Sequence, residues 1–213
     1  MNSVAVIDYG MGNLRSVSKA LEHVSPNALV QVTNDPKIIA ESDRVVFPGV
    51  GALREAMAEL KRLSLDELIK DLVKEKPFLG ICLGMQALFG SGEENGGCDA
   101  LGILPGTVDY FGQNRKDKKG RKLKVPHMGW SMLDIKQDHP MWHGVTPGSR
   151  FYFVHSYYVV ANDANHIAGV CDYGGEFCAA VAAPNIFAVQ FHPEKSQDLG
   201  LQLLDNFMQW NGQ

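Results

Sequence analysis

Phe78-Leu79-Gly80-Ile81-Cys82-Leu83-Gly84-Met85-Gln86 decides the reading of the chain. Residues 78–81 form an apolar run of the kind expected in a strand buried on both faces. Residues 83–89 then follow helical spacing. Cys82 stands at the junction, with a glycine two residues to either side. This G-x-nucleophile-x-G form fits a sharp strand-to-helix turn, where larger side chains beside the nucleophile would clash with the neighbouring strand and helix. A cysteine at a helix N-terminus also meets the positive end of the helix dipole, which favours its thiolate. Taken alone, the same cysteine reads equally as a small core residue after an apolar strand.

Working outward, the strand–helix rhythm repeats. Residues 4–7 are a near-continuous apolar run, followed at helical spacing by Leu14, Val17, Leu21 and Val24. Residues 44–47 form another buried strand, broken by Pro48-Gly49, with Leu53, Ala56, Met57 and Leu60 as the next helical stripe. Ser64-x-x-Glu67 predicts a capping box opening a helix through Leu65, Leu68, Ile69 and Leu72. Downstream, residues 107–111, 131–135, 151–160, 166–170, 177–181 and 186–191 are strand-like and separated by Gly, Pro, Asn or Asp. Leu199, Leu203, Leu204, Phe207 and Met208 close the chain as an amphipathic helix. Together these predict an α/β fold: a flavodoxin-like, mostly parallel central sheet with flanking helices and added antiparallel strands in the second half. No repeat or linker divides the 213 residues, so residues 1–213 are expected to form a single domain.

Composition narrows the function. Twenty Lys+Arg against 24 Asp+Glu leave a net charge of −4, which excludes a strongly basic nucleic-acid binder. The chain is short for a (β/α)8 barrel, which needs about 250 residues. No apolar run approaches the roughly 18 residues of a membrane span. Met1-Asn2-Ser3-Val4 has no basic leader and enters the first strand at once, unlike a signal peptide. The four cysteines, Cys82, Cys98, Cys171 and Cys178, form no CxxC, so a reduced, cytoplasmic setting is expected and a zinc site is not.

A nucleophilic cysteine needs a base. In Phe187-Ala188-Val189-Gln190-Phe191-His192-Pro193-Glu194, a strand ends at His192. His192 and Glu194 are two apart and share a side of an extended chain, so the carboxylate can orient the imidazole. An exposed turn after a strand is the other reading of His-Pro-Glu. Pro48-Gly49-Val50-Gly51 lets the backbone approach a substrate closely. The Val50 N–H would then serve as one oxyanion donor and the Leu83 N–H as the second; an ordinary strand-to-helix turn is the alternative. Gly10-Met11-Gly12 also follows a strand, but Arg15 occupies the place where a dinucleotide fingerprint has glycine, and no P-loop exists. Residues 115–124 carry seven Lys/Arg and one Asp, either a phosphate site or a solvated hairpin tip. Trp130 is either a core aromatic or a partner contact.

Taken together and in this order, Pro48-Gly49-Val50-Gly51, residues 80–86 and Phe191-His192-Pro193-Glu194-Lys195 resemble the class I (triad) glutamine amidotransferases over essentially the whole chain. The resemblance implies Cys82 as nucleophile, His192 as acid/base and Glu194 as orienter, with Val50 and Leu83 supplying the oxyanion hole. It implies that Gln86 and Glu94 contact L-glutamine through side chains, and that Gly49, Gly51, Ser156 and Tyr157 do so mainly through backbone. No metal or cofactor is implied.

More narrowly, Asp8-Tyr9-Gly10-Met11-Gly12-Asn13-Leu14, Pro126-His127-Met128-Gly129-Trp130 and His155-Ser156-Tyr157 look like the glutaminase subunits of histidine biosynthesis. There, the resemblance implies a heterodimer with a (β/α)8-barrel cyclase subunit, which turns a ribulosyl-carboxamide nucleotide into imidazole glycerol phosphate and a purine-precursor nucleotide. Asn13, His127, Met128, Trp130 and Lys195 would lie at that interface. Ser131 stands where that family often has Asn. A cysteine peptidase or gamma-glutamyl hydrolase, a non-catalytic flavodoxin-like module and a glutaminase serving another synthase are the rival readings.

Overall fold

A computed structural model of the chain describes residues 2–213; Met1, where the expectation of no signal peptide begins, lies outside them. The first half runs β1 (Ser3–Ile7), α1 (Leu14–Val24), β2 (Leu29–Thr33), α2 (Pro36–Glu41), β3 (Arg44–Gly49), α3 (Leu53–Arg62), α4 (Leu65–Glu75), β4 (Phe78–Cys82) and α5 (Leu83–Gln86). The second half adds β5 (Ser91–Gly92), β6 (Cys98–Asp99), β7 (Gly106–Tyr110), β8 (His127–Ile135), β9 (Arg150–His155), β10 (Tyr157–Ala161), β11 (Ile167–Asp172), β12 (Glu176–Ala183), β13 (Ile186–Val189) and α6 (Gln197–Gln209).

Strands β2-β1-β3-β4-β13 pair in parallel, in that spatial order. This is the doubly wound arrangement the sequence predicts, with ligand sites expected outside the carboxyl ends of the strands. From β13 the sheet continues antiparallel through β12 and β10 to β7, and β12 also pairs with β11, which leads on to β8 and β9. The parallel strands read as unbroken apolar runs because each face is covered. Val4, Val6, Val46, Leu79 and Ile81 pack with Val17 and Leu21 of α1 and Leu203 and Phe207 of α6. Ala5, Ile7, Val45, Phe47 and Phe78 pack on the other face with Leu53 and Leu60 of α3 and Leu65 and Ile69 of α4.

Several elements depart from the sequence reading, which lacks both strand β2 and helix α2. Strand β2 is an edge strand pairing only with β1, and its Leu-Val-Gln-Val-Thr is half exposed, so it lacks an apolar run. Helix α2 has six residues, begun by Pro36 at its first position and by Asp35, whose carboxylate accepts from Lys37 N at 2.8 Å. Ser64 forms no capping box: its φ of 55° is left-handed, and Glu67 instead pairs with Lys70 at 2.7 Å. The helix expected over residues 83–89 ends at Gln86, because the Leu88 and Phe89 N–H groups bond three residues back, to Met85 and Gln86. The strand expected over residues 151–160 is two strands, separated at Ser156. Strand β9 pairs with β8, whereas β10 pairs with β7 and β12. The basic stretch is a hairpin tip, with Lys116 bridged to Lys122 and Asp117 paired with Arg121.

Two glycines let the β4–α5 turn lie against its neighbours. A Cβ on Gly84 would stand 1.8 Å from the Phe47 carbonyl oxygen, and one on Gly80 2.9 Å from the Ala188 Cβ. The first is a deep collision with rigid backbone; the second is a shallower clash with the Ala188 methyl group and with the Gly84 carbonyl oxygen at 3.0 Å. Gly84→Ala is therefore expected to cost about 3 kcal/mol or more of unfolding free energy, and Gly80→Ala about 1–2 kcal/mol. Urea denaturation of the two variants checks this; equal losses would contradict the close approach of α5 to β3.

Candidate active site

The carboxyl ends of β3, β4 and β13 meet at Cys82. Cys82 is the last residue of β4 and caps α5, with φ 56° and ψ −108°. A non-glycine residue at positive φ costs on the order of 1–3 kcal/mol and persists only where its surroundings over-determine it. Here they do: β4 is held on both sides by parallel ladders to β3 and β13, and α5 leaves immediately across Gly84. Helix α5 is a single turn, so the dipole a longer helix would aim at Cys82 is largely missing. Side chains supply the local electrostatics instead.

Strand β13 lies beside β4 with Val189 opposite Ile81, which carries the residues after β13 past the elbow. His192 follows, and Glu194 sits in the short turn Pro193–Lys195. His192 Nδ1 and Glu194 Oε1 are 2.8 Å apart, and both side chains are buried. Asn13 Nδ2 donates to the same oxygen at 3.3 Å. Burial opposes charge on the His192 imidazole. The neighbouring Cys82 sulfur, through its charge, and the Glu194 carboxylate, through its charge and its hydrogen bond, outweigh it, so the pKa of His192 is raised. The stabilisation this implies is present below about pH 6.5, where an unfolded histidine is protonated too, and is lost as pH rises through the raised native value.

A cavity of about 430 Å³ opens in front of Cys82. Val50, Gly51, Leu83, Gln86, Glu94, Ser156, Tyr157 and Lys195 line it, so most of the residues singled out for glutamine and oxyanion binding meet around one cavity. Gly49 lies beneath: a Cβ there would meet Tyr9 Oη at 2.3 Å and Leu83 Cβ at 2.9 Å. Glu94, not Glu93, faces the cavity. Its Oε2 accepts from Leu53 N at 2.7 Å at the start of α3, whereas the Glu93 carboxylate takes the Tyr110 N–H. A larger cleft of about 630 Å³ beside His139 and Trp142 contains no paired nucleophile and base.

The sequence reading missed Gln190. It is fully buried, its Nε2 lies 3.6 Å from Cys82 Sγ, and its Oε1 accepts from Gln86 Nε2 at 3.0 Å. Gln86 Nε2 also donates to the Tyr157 carbonyl at 3.0 Å. The only sequence signal was a polar residue within the apolar run that β13 opens.

Strand β8 alternates. Met128, Trp130 and Met132 project outward and are exposed, so Trp130 is not a core residue. His127 corrects the interface expectation. It points inward at 2% exposure, 3.9 Å centroid to centroid from Tyr173, because it falls on the opposite face of the same strand. Asn13 is half-buried and hydrogen-bonded to Glu194, and Lys195 is exposed at the cavity rim. His127 Nδ1 lies 3.1 Å from His155 Nε2, His155 Nδ1 2.7 Å from the Tyr157 carbonyl, and His127 Nε2 2.8 Å from Ser131 Oγ. A carbonyl only accepts, so His155 carries its proton on Nδ1. His127 must then donate from Nδ1 and accept from Ser131. Burial pushes His127 down to about 4 and His155 to about 3, keeping both rings neutral.

Residues 5–210 match the family model described as glutamine amidotransferase class-I. The chain therefore belongs to the class I glutamine amidotransferases. It is 54% identical over 212 residues to the imidazole glycerol phosphate synthase subunit HisH of Pseudomonas syringae pv. syringae, covering 100% of this chain and 99% of that one. It is 56% identical over 209 residues to the subunit of the same name from Thiobacillus denitrificans, covering 98% and 91%. Within the class, the chain belongs to the HisH family. Among solved structures, PurLQS from Thermotoga maritima superposes with a TM-score of 0.71 at 20% identity, covering 98% of both chains. A glutamine amidotransferase from the same organism superposes with a TM-score of 0.61 at 20% identity, covering 91% of this chain and 76% of that one. These two establish the shared fold. Among the described residues, no helix is long and apolar enough to cross a membrane.

The histidine pair gives a direct check. An unfolded histidine takes a proton near pH 6.5, whereas His127 and His155 refuse it until about 4 and 3. Their contribution to stability is therefore present above pH 6.5 and is lost as pH falls through those native values. At pH 6, imidazole ¹⁵N shifts are expected to show both rings neutral and protonated on Nδ1. A ring among the two that titrates near 6.5 would contradict the buried chain.

Proposed function

We propose that this chain is the glutaminase subunit of an imidazole glycerol phosphate synthase, hydrolysing L-glutamine at Cys82 and passing ammonia to a (β/α)8-barrel cyclase subunit in histidine biosynthesis. The single observation that carries the site assignment is the buried His192–Glu194 pair, 2.8 Å apart, just beyond the strand next to the strained Cys82. The names of its relatives support the synthase and the partnership.

In this scheme the Cys82 thiolate attacks the side-chain carboxamide carbon of glutamine, forming a C–S bond and a tetrahedral oxyanion. The backbone N–H groups of Val50 and Leu83 receive the oxyanion; one such donor is worth about 10²–10³ in kcat. Protonated His192 holds a proton ready for the departing nitrogen, so the C–N bond breaks and ammonia leaves. A glutamyl thioester remains. Neutral His192 next takes a proton from water, which attacks the thioester and releases glutamate and the Cys82 thiolate. Glu194 keeps the ring oriented and offsets its positive charge through both half-reactions. Gln86, Glu94 and the backbone of Gly49, Gly51, Ser156 and Tyr157 hold the amino-acid end of the substrate. The acyl transfer needs neither a metal nor an organic cofactor.

Ammonia released into water becomes ammonium and loses its nucleophilicity, so a protected path to the acceptor is part of the scheme. Met128, Trp130 and Met132 present an exposed apolar stripe on β8, and Lys195 sits at the mouth of the cavity. We place the cyclase on this face. Residues 1–213 act as one domain, in the cytoplasm, with no role for nucleic acid or membrane.

Cys82→Ala is expected to lower glutamine hydrolysis by about 10⁴ or more, with His192→Asn close behind and Glu194→Gln less damaging. Steady-state glutaminase rates in the assembled complex measure the order; substantial turnover by Cys82→Ala would overturn the assignment. The same variant complex should still form product when given ammonium salts at high pH. Trp130→Ala is expected to weaken complex formation by at least about 2 kcal/mol while leaving the melting temperature of the free chain nearly unchanged. Calorimetry of binding and a thermal melt distinguish this from a packing role, which would lower the melting temperature and spare the affinity.

A further inference from the structure

Gln190 joins the nucleophile to the cavity wall. Its amide is fully buried, and burying an amide is unfavourable unless its polar ends are paired. Neither end is spent on the scaffold. Nε2 reaches Cys82 Sγ at 3.6 Å, and Oε1 accepts from Gln86 Nε2 at 3.0 Å. The backbone alone ties Gln190 to the sheet, through Gln190 N to the Ala179 carbonyl at 2.9 Å.

The orientation of both amides follows from these partners. Gln86 spends its Nε2 hydrogens on two acceptors, Gln190 Oε1 and the Tyr157 carbonyl, each at 3.0 Å. Turning Gln86 over would set its oxygen against both. Turning Gln190 over would set its oxygen against the sulfur and its nitrogen against that of Gln86. In the arrangement present, Gln86 Oε1 has no protein partner among the described residues and Gln86 lines the cavity, so the wall offers a hydrogen-bond acceptor to the ligand.

We infer that Gln190 is a positioning residue of the glutaminase site: its N–H holds the Cys82 sulfur and favours the thiolate, and its carbonyl locks Gln86 so that an acceptor faces the N–H groups of the bound amino acid. This rests on the glutaminase function proposed above. The two halves separate by substitution. Gln190→Glu keeps the size and the acceptor for Gln86 but replaces the N–H at the sulfur by a carboxylate oxygen. Gln190→Met keeps the length and removes both contacts.

The test uses the full chain in its complex and reads three quantities: the pH profile of Cys82 alkylation by iodoacetamide, kcat and KM for glutamine. In Gln190→Glu the alkylation midpoint is expected to move up by about one pH unit, a tenfold loss of thiolate below it, with kcat falling at least as much and KM changing less than about threefold. In Gln190→Met the midpoint should also rise and KM should increase about tenfold, as Gln86 loses its fixed orientation. Combining Gln190→Met with Gln86→Ala should then raise KM no further than Gln86→Ala alone. An alkylation profile unchanged in both variants, or KM effects that multiply in the double variant, would overturn the inference, whatever happens to thermal stability. If Gln190→Glu does not fold, Gln190→Met decides both points. Failure of the glutaminase function itself is distinguishable: the parent complex would then not hydrolyse glutamine at all, or would do so undiminished once Cys82 is alkylated.

Discussion

The structure depends on how closely α5 crosses the end of β3. Gly84 has no side chain, and its α-carbon lies so near the Phe47 carbonyl that a methyl group cannot be placed between them. That contact fixes the direction in which the chain leaves β4. With the strand held by two parallel ladders and the helix held by its contact with β3, Cys82 is left at φ 56°, a conformation its own side chain disfavours. The turn thereby lifts the sulfur off the end of the sheet, toward the cavity. Everything else in the site is arranged around a sulfur that cannot move far.

The parallel order of the core supplies the partners. Strand β13 is the last strand in the chain yet lies directly beside β4, and this crossover brings Gln190 to Cys82, 108 positions away in sequence. Gln190 and His192, two residues apart, both face the elbow. One reaches the sulfur with an amide N–H and the other brings an imidazole backed by Glu194. The charge of the pair is compensated inside the protein, since helix α5 is too short to provide it. The neutral His127–His155 pair is the counterpart behind the cavity lining, which His155 joins and His127 does not. Burial removes its charge, and a single set of proton positions joins Ser131 to the Tyr157 carbonyl that also anchors Gln86.

Much of this was legible in the sequence, for identifiable reasons. The parallel strands read clearly because both faces are buried, and the elbow read clearly because only glycine fits at positions 80 and 84. His192 and Glu194 announced themselves by spacing. What did not read is what depends on tertiary partners. Strand β2 is half exposed and has no apolar run. The break at Ser156 follows from two different pairing partners, not from a local breaker. Ser64 has the residue type for a cap but a left-handed backbone, set by the tight α3–α4 join. His127 sits in a motif whose neighbours face outward, and the period of two along β8 turns it inward. Gln190 was invisible because a polar residue within a strand gains meaning only when Cys82 and Gln86 are seen on either side of it.

Transfer of the acyl group to Cys82, as proposed, is open to direct observation by acid quenching of the complex during turnover of L-glutamine. Peptide mass spectrometry is expected to find a glutamyl adduct on the peptide containing Cys82, removed by hydroxylamine as a thioester is. An adduct confined to another residue, or undiminished turnover once Cys82 has been alkylated, would contradict the account.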